Sequence, residues 1–128
     1  MELLLDTCTF LWMISAPDKL SDKATMFCSD INNKIYLSSV SCWEISIKQS
    51  LGKLDLKEDL NIFIPKQRIN HSIDFLDLDE KTSLYFSKIS NIHKDPFDKM
   101  LVAQAICNNL VIVTPDKLIK NYDVEVIW

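Results

Sequence analysis

Three acidic residues stand at places in the sequence where a carboxylate needs an explanation. Asp6 follows the apolar run "ELLL", Glu44 lies inside "IYLSSVSCWEISI", and Asp116 follows "LVIVTP". A carboxylate that is buried without compensation is unfavourable by several kcal/mol, so each residue is either exposed by geometry or belongs to a site. The structural alternatives are a helix cap for Asp6 and an ion pair with Lys48, one helical turn on, for Glu44.

A fourth carboxylate lies in the segment "HKDPFDKMLVAQA". Asp95 precedes Pro96, which predicts a helix with Asp95 as its N-cap and proline at the first helical position. Asp98 then falls in one row with Val102 and Ala105, so it leads an apolar stripe and points inward. The alternative is that Asp98 only complements the helix dipole or completes a capping box.

Four carboxylates that meet without matching basic partners repel one another, and a divalent cation relieves that repulsion. A site made only of carboxylate oxygens favours Mg²⁺ or Mn²⁺ over Zn²⁺, which prefers thiolate and imidazole ligands. Such a site usually acts on phosphates, by clamping an oxygen and activating a water molecule. His71 and His93 fit no metal-ligand spacing such as H-E-x-x-H, and we expect a surface or packing role for both.

The elements that must position these acids follow an alternating pattern of short apolar runs and helix-like segments. This pattern predicts an α/β domain with a mainly parallel sheet. The predicted strands cover residues 2–5, 35–38, 110–114 and 124–127. The predicted helices cover residues 9–15, 21–31, 40–50, 57–70, 79–90 and 96–108. The stretch 55–78 could instead form a helical hairpin or a lid. Because ligands bind beyond the carboxyl ends of parallel strands, Asp6, Glu44 and Asp116 should gather at one edge.

Length and composition limit the classes of protein that fit. A chain of 128 residues with 48% apolar residues can bury one good core, which predicts a single domain over residues 1–128. Gly52 is the only glycine, so glycine-rich phosphate loops are excluded, and it predicts a helix stop at "LGKL". The net charge of −4 argues against a protein that coats nucleic acid, although residues 45–72 carry five basic and three acidic side chains.

The cysteines and the N-terminus bear on the expected compartment. The four cysteines show no C-x-x-C pair and are interpreted as small buried hydrophobic residues. The apolar N-terminus has no basic residue before the apolar run and contains Asp6, unlike a signal peptide, and no run reaches the roughly 20 apolar residues of a membrane helix. We therefore expect a cytoplasmic protein without a membrane segment.

Four blocks together resemble a known family. "LLLDTCTFLW", "SSVSCWEISIKQSLGKL", "HKDPFDKMLVAQA" and "LVIVTPDKLIKNYDVEVIW" occur in this order from end to end of the chain. In this combination the sequence resembles a PIN domain, specifically the small ribonuclease toxins of VapC type from toxin–antitoxin pairs. The resemblance implies a three-layer α/β/α sandwich, a homodimer, inhibition by a cognate antitoxin, and metal-dependent endonucleolytic cleavage of RNA that leaves a 5′-phosphate.

The resemblance also assigns roles to residues. It places the family's acids at Asp6, Glu44, Asp98 and, as a more variable fourth, Asp116, which would bind Mg²⁺ or Mn²⁺. Basic residues that such proteins often carry correspond to Lys48 and Lys99.

Three further positions bear on the same predicted site. Thr7 and Thr114 could support the acids through their hydroxyl groups, although threonine at a strand end more often bonds the local backbone. Many members have histidine where Cys8 stands, so contacts made by that position are in question.

Two other functions stay open on the sequence. A PIN-fold module that binds RNA or a protein partner without cleavage would keep the fold, but none of the four acids is missing. A magnesium phosphatase of the haloacid-dehalogenase kind is suggested by "LLLDTCT", but that chemistry needs a second aspartate at the position of Cys8.

Overall fold

A five-stranded parallel sheet lies at the centre of the structure, a computed structural model that describes residues 1–128. Its strand order is β3-β2-β1-β4-β5, and every neighbouring pair is parallel. The strands are β1 (Glu2–Leu5), β2 (Lys34–Ser38), β3 (Ile73–Leu76), β4 (Val111–Val113) and β5 (Val126–Ile127). The predicted parallel sheet is therefore confirmed, with β1 at its centre.

Six α-helices cover the two faces of the sheet. They are α1 (Thr7–Ser15), α2 (Asp22–Ser29), α3 (Ser39–Ser50), α4 (Leu60–Asn70), α5 (Glu80–Tyr85) and α6 (Pro96–Asn108). Leu3 and Leu5 of β1 belong to one hydrophobic core, whereas Leu4 between them belongs to a second core on the other face. This alternation confirms the three-layer α/β/α sandwich. None of the helices is both long enough and apolar enough to cross a membrane.

The helix boundaries follow local capping chemistry. Asp95 is the N-cap of α6, as predicted, and its Oδ1 accepts a 2.9 Å hydrogen bond from the Phe97 N–H. Ser21 caps α2 by accepting a 3.0 Å bond from the Ala24 N–H. Gly52 follows the end of α3 with a φ of 70°, in the left-handed conformation that stops a helix.

The segment between α3 and α5 differs from the prediction. Residues 55–78 form neither a helical hairpin nor a lid, because α4 spans only Leu60–Asn70 and the chain then enters the edge strand β3. Asp59 caps α4, with its Oδ1 2.8 Å from the Asn61 nitrogen, so the helix begins three residues later than predicted. Similarly, α5 ends at Tyr85 and continues only as a 3-10 turn.

Candidate metal centre

Asp6 joins the carboxyl end of the central strand to the first helix. It directly follows β1, and its Oδ1 accepts a 2.7 Å hydrogen bond from the Thr9 N–H, which caps α1. Its Oδ2 accepts a 2.6 Å bond from the Thr114 hydroxyl, which lies just beyond β4. Burial raises the pKa of the Asp6 carboxyl, although the hydrogen bonds from both threonines act in the opposite direction. Asp6 is thus a helix cap and also a buried carboxylate that lines a cleft.

Glu44 comes from the second turn of α3 and is also buried, with 6% of its surface exposed. Its Oε1 accepts a 2.6 Å hydrogen bond from the Thr7 hydroxyl. Its Oε2 lies 2.7 Å from Nζ of Lys48, so the ion pair considered from the sequence is present. Unlike a surface pair, this one has its acidic member inside the protein and only its lysine at the rim.

Asp98 lies in the first turn of α6, beside the cap residue Asp95. Burial, followed by the negative charges of Asp95 and Asp6, raises the pKa of its carboxyl to about 7. The positive charge that His93 can carry opposes this shift. Burial is thus the main cause of the raised pKa of Asp98, and repulsion from the neighbouring carboxylates adds to it.

Asp116 occupies the loop that follows β4. Its backbone N–H donates a 3.0 Å bond to the Thr114 hydroxyl, and its Oδ1 accepts a 2.9 Å bond from the Leu118 N–H. Its Oδ2 lies 2.5 Å from Nε2 of His93. The loop thus holds the carboxylate from the backbone side, and His93, in the segment before α6, contacts its other oxygen.

One cleft at the carboxyl edge of the sheet brings the four predicted acids together. Its volume is about 490 Å³, and its lining includes Asp6, Glu44, Asp95, Asp98, Asp116 and Lys48. The acids come from the end of β1, from α3, from α6 and from the loop after β4. Because the strands are parallel, their carboxyl ends share one edge, which explains the convergence of residues more than 100 positions apart.

His93 belongs to this site, and the predicted surface or packing role for it was wrong. Its Nε2 lies 2.5 Å from Asp116 Oδ2 and 3.4 Å from Asp98 Oδ2. One potential ligand atom from each of His93, Asp98 and Asp116 falls within 4.8 Å of the other two, a separation that suits a shared ion. A signal was available in the sequence, since His93 stands only two residues before the N-cap of the helix that carries Asp98.

The lysines and threonines named from the sequence have different positions. Lys48 lines the cleft, and the hydroxyls of Thr7 and Thr114 each donate to one acid. Lys99 does not share this arrangement, because its Nζ donates a 2.6 Å bond to Asn91 Oδ1.

A second contact holds Lys99 away from the acids. Its ammonium group lies over the Phe86 ring, with Nζ 4.3 Å from the ring centroid. The expected support of the site by Lys99 is corrected accordingly: its ammonium group is engaged with Asn91 and Phe86.

Cys8 is also part of the cleft lining. Burial, together with the negative charge of Asp6, raises the pKa of its thiol to about 11. The raised pKa disfavours the thiolate form, which is the form of cysteine that binds metal ions. The cysteine in place of the family's frequent histidine leaves the carboxylates as the dominant donors of the site.

The donor set of the cleft fits a hard divalent cation. Asp6, Glu44, Asp98 and Asp116 offer carboxylate oxygens, and Mg²⁺ and Mn²⁺ prefer oxygen ligands. Only Lys48 and, when protonated, His93 place positive charge against these acids. Burial, followed by the neighbouring negative charges, raises the pKa of Asp98, and a cation bound here would offset both effects.

An α/β/α sandwich with an acidic cleft at the carboxyl edge of its sheet is the class of protein that this fold and site define. Within that class, the family model of the PIN domain matches residues 3–125, and the chain belongs to the PIN-domain family. A comparison with curated protein sequences gives no significant match.

Solved structures of several bacterial proteins share the fold. The VapBC2 structure from Rickettsia felis, bound to a promoter DNA fragment, aligns with a TM-score of 0.71 and 20% identity over 98% of this chain and 97% of its own. VapBC-1 from nontypeable Haemophilus influenzae aligns with a TM-score of 0.64 and 17% identity, over 98% of this chain and 96% of its own. VapBC-5 from Mycobacterium tuberculosis aligns with a TM-score of 0.59 and 14% identity, over 98% of this chain and 96% of its own. That protein is a member of the VapBC family of toxin–antitoxin systems. At these identities the similarity shows a shared fold.

Proposed function

We propose that this protein is a Mg²⁺- or Mn²⁺-dependent endoribonuclease toxin of the VapC type, with residues 1–128 forming one PIN domain. The observation that carries the proposal is the convergence of Asp6, Glu44, Asp98 and Asp116 in one cleft, with the pKa of Asp98 raised to about 7. Membership of the PIN-domain family and the likeness to VapBC structures support the same function.

Some side chains of the cleft would bind the metal ion, and others orient the side chains that bind it. Asp6, Glu44 and Asp98 would hold the metal ion, and Asp116 would support it directly or through a bound water molecule. The bound ion supplies Lewis-acid chemistry, in which a phosphate oxygen is polarised and the pKa of a water molecule is lowered. Thr114 fixes one oxygen of Asp6 and Thr7 fixes one of Glu44, so both carboxylates are oriented before the ion arrives.

Lys48 is the basic residue at the mouth of the cleft. Its side chain is 47% exposed, and its Nζ can turn from Glu44 toward the phosphate backbone of an RNA. The net charge of the whole protein is −4, so attraction of RNA has to be local rather than general. Lys48 is well placed to provide it.

We further propose a cytoplasmic homodimer whose activity is controlled by a cognate antitoxin. VapBC-5 of Mycobacterium tuberculosis belongs to a family of toxin–antitoxin systems, and the present fold is similar to it over 98% of the chain. A nuclease that acts on cellular RNA needs such an inhibitor to be tolerated by its own cell.

The decisive experiment incubates the purified protein with total cellular RNA in Mg²⁺, in Mn²⁺ and in EDTA, beside Asp6→Asn and Glu44→Gln. Discrete fragments that require metal and are absent with both variants are the expected result. Intact RNA under all conditions, from a folded protein that binds Mn²⁺, would contradict the nuclease. RNA that is bound by the protein but stays intact in Mg²⁺ and in Mn²⁺ as well as in EDTA would instead identify a binding module of the same fold.

A further inference from the structure

We propose that His93 is a positioning residue that holds Asp116 through its Nε2–H and does not itself bind the metal. The inference deepens the proposed function and rests on it, because it concerns how this chain presents Asp116 to an ion. The distances alone would allow the opposite role, since the ligand atoms of His93, Asp98 and Asp116 lie within 4.8 Å of one another. The hydrogen bonds at the two ring nitrogens decide between these roles.

The backbone of Asp95 determines which ring nitrogen of His93 carries the proton. The Asp95 N–H donates to Nδ1 of His93 across 3.0 Å. A backbone N–H is only a donor, so Nδ1 must present its lone pair and carry no hydrogen. A neutral imidazole with an unprotonated Nδ1 bears its hydrogen on Nε2.

Nε2 is therefore the donor that faces the acids. It lies 2.5 Å from Asp116 Oδ2, a hydrogen-bond distance, and 3.4 Å from Asp98 Oδ2. A nitrogen that carries a hydrogen has no lone pair to offer to a metal ion. With Nδ1 accepting from Asp95 and Nε2 donating to Asp116, both nitrogens of the ring are in use.

The ring is held firmly enough to position another residue. The His93 backbone N–H donates a 2.7 Å bond to the hydroxyl of Tyr122, a buried residue of the second core. Only 11% of the His93 side chain is exposed, compared with 28% of the Asp116 side chain. The better anchored histidine thus restrains a carboxylate that a loop alone would leave freer, as partners of metal-binding carboxylates commonly do.

His71, the other histidine of the chain, provides an internal reference because its hydrogen bond requires the opposite tautomer. Its Nδ1 lies 2.9 Å from the carbonyl oxygen of Gln67. A carbonyl oxygen only accepts, so Nδ1 of His71 must carry the hydrogen. The two histidines should therefore occur as opposite tautomers in one protein.

The first test reads these tautomers directly. Long-range ¹H–¹⁵N spectra of the metal-free wild-type protein, labelled with ¹⁵N-histidine and recorded at pH 8, should show Nε2–H for His93 and Nδ1–H for His71. The variant His71→Gln assigns the two signals. Saturating Mg²⁺ should leave His93 Nε2 protonated. A protonated Nδ1 of His93, or loss of the Nε2 proton with Mg²⁺, would overturn the proposal.

The second test separates positioning from mere support of the fold. In His93→Gln the side-chain amide can reach about as far as Nε2 and can donate to Asp116, whereas in His93→Asn it reaches only as far as Nδ1 and can accept from Asp95. We expect Asn to weaken Mn²⁺ binding by about 10- to 100-fold, the usual effect of losing a partner of a ligand, and Gln to retain most of the affinity.

The outcomes of the Mn²⁺ titration are distinct. Unchanged affinity in both variants, or a loss with Gln but not with Asn, would refute the positioning role. Failure of the wild-type protein to bind Mn²⁺ would overturn the proposed function and this role together. The spectra of the metal-free protein would then still report whether the tautomer of His93 is as inferred.

Discussion

The hydroxyl of Thr7 donates a 2.6 Å hydrogen bond to Oε1 of Glu44, which links the first turn of α1 to the second turn of α3. Both residues are buried, so water does not easily replace this bond. Thr7 directly follows Asp6, which caps the same helix. The start of α1 thereby positions two of the four acids. Asp6 is fixed because it is the N-cap of the helix, and Glu44 is fixed by the hydrogen bond from the Thr7 hydroxyl.

Replacement of Thr7 by valine should weaken metal binding and also lower the free energy of unfolding. Thr7→Val keeps the shape of the side chain but leaves Glu44 Oε1 without its buried donor. We expect Mn²⁺ affinity and RNA cleavage to fall by about 10- to 100-fold, with a destabilisation of about 1–3 kcal/mol. Isothermal titration and thermal denaturation measure both effects. Thr7→Ser, which keeps the hydroxyl, is the control, and equal losses in the two variants would contradict the prediction.

Neutralisation of Asp98 should stabilise the metal-free protein above neutral pH. The pKa of Asp98 is about 7 in the folded protein, compared with about 3.9 for an unfolded aspartate. Between these values the folded protein binds more protons, so the free energy of unfolding falls as the pH rises through this window. In EDTA, the Tm of Asp98→Asn should exceed that of the wild type by a larger margin at pH 8 than at pH 5, because only the lower part of this window has been passed at pH 5.

The same variant should lose RNA cleavage, because asparagine cannot supply the anionic ligand. A lower Tm for Asp98→Asn at pH 8 would assign Asp98 to structural stability rather than to a metal site. Asp123→Asn, at an acid outside the cleft lining, is the matched control, and its Tm should follow that of the wild type at both pH values.

Removal of the Lys48 ammonium group should affect metal and RNA in opposite directions. Lys48 Nζ lies 2.7 Å from Glu44 Oε2 and so competes with a cation for that oxygen. Lys48→Met should strengthen Mn²⁺ binding by roughly tenfold, because a nearby positive charge is lost, and should raise the KM for RNA. Lys66→Met, which breaks the exposed pair with Glu58, should change neither quantity. Weaker Mn²⁺ binding by Lys48→Met would contradict this account.

Trp12 should contribute to RNA binding by base stacking. Its half-buried ring lines the cleft, next to Lys19, whose Nζ lies 5.5 Å from the ring centroid. Trp12→Ala should weaken binding of single-stranded RNA in EDTA by about 5- to 100-fold, and Trp12→Phe should retain most of it. Fluorescence polarisation measures the affinity for RNA, and EDTA prevents cleavage during the measurement. Trp43→Ala is the control, since Trp43 is 60% exposed but lies outside the cleft lining; an equal effect there would refute a specific role for Trp12.

The central strands could be predicted from the sequence, whereas the edge strand β3 could not. β1 and β4 are buried on both faces and therefore appear as uninterrupted apolar runs. In β3 only Ile73 is fully buried, while Asp74 and Phe75 face solvent, so the segment shows no apolar run. Its pairing with β2, residue Ile73 opposite Ile35, is a tertiary interaction without a local signature.

The acids of the cleft could be predicted because each carboxylate interrupts an apolar pattern, and Lys48 because it lies one helical turn from Glu44, but the contacts of His93 and Lys99 could not. His93 reaches Asp116, 23 positions away, through loops whose courses are set by tertiary packing. Lys99 follows Asp98 directly, and adjacency in sequence suggested a shared site. Successive residues of an α-helix point about 100° apart, so the two side chains face different surroundings.

The bond between Thr114 and Asp6 spans 108 positions, and β4 can lie beside β1 only after the intervening residues have been made. During synthesis on a ribosome, β1 and Asp6 therefore emerge long before Thr114 and Asp116. Until β4 has emerged, a nascent chain lacks both the hydroxyl that orients Asp6 and the carboxylate of Asp116. The position of β4 next to β1 in the sheet thus delays assembly of the candidate site until six helices and three earlier strands have been synthesised.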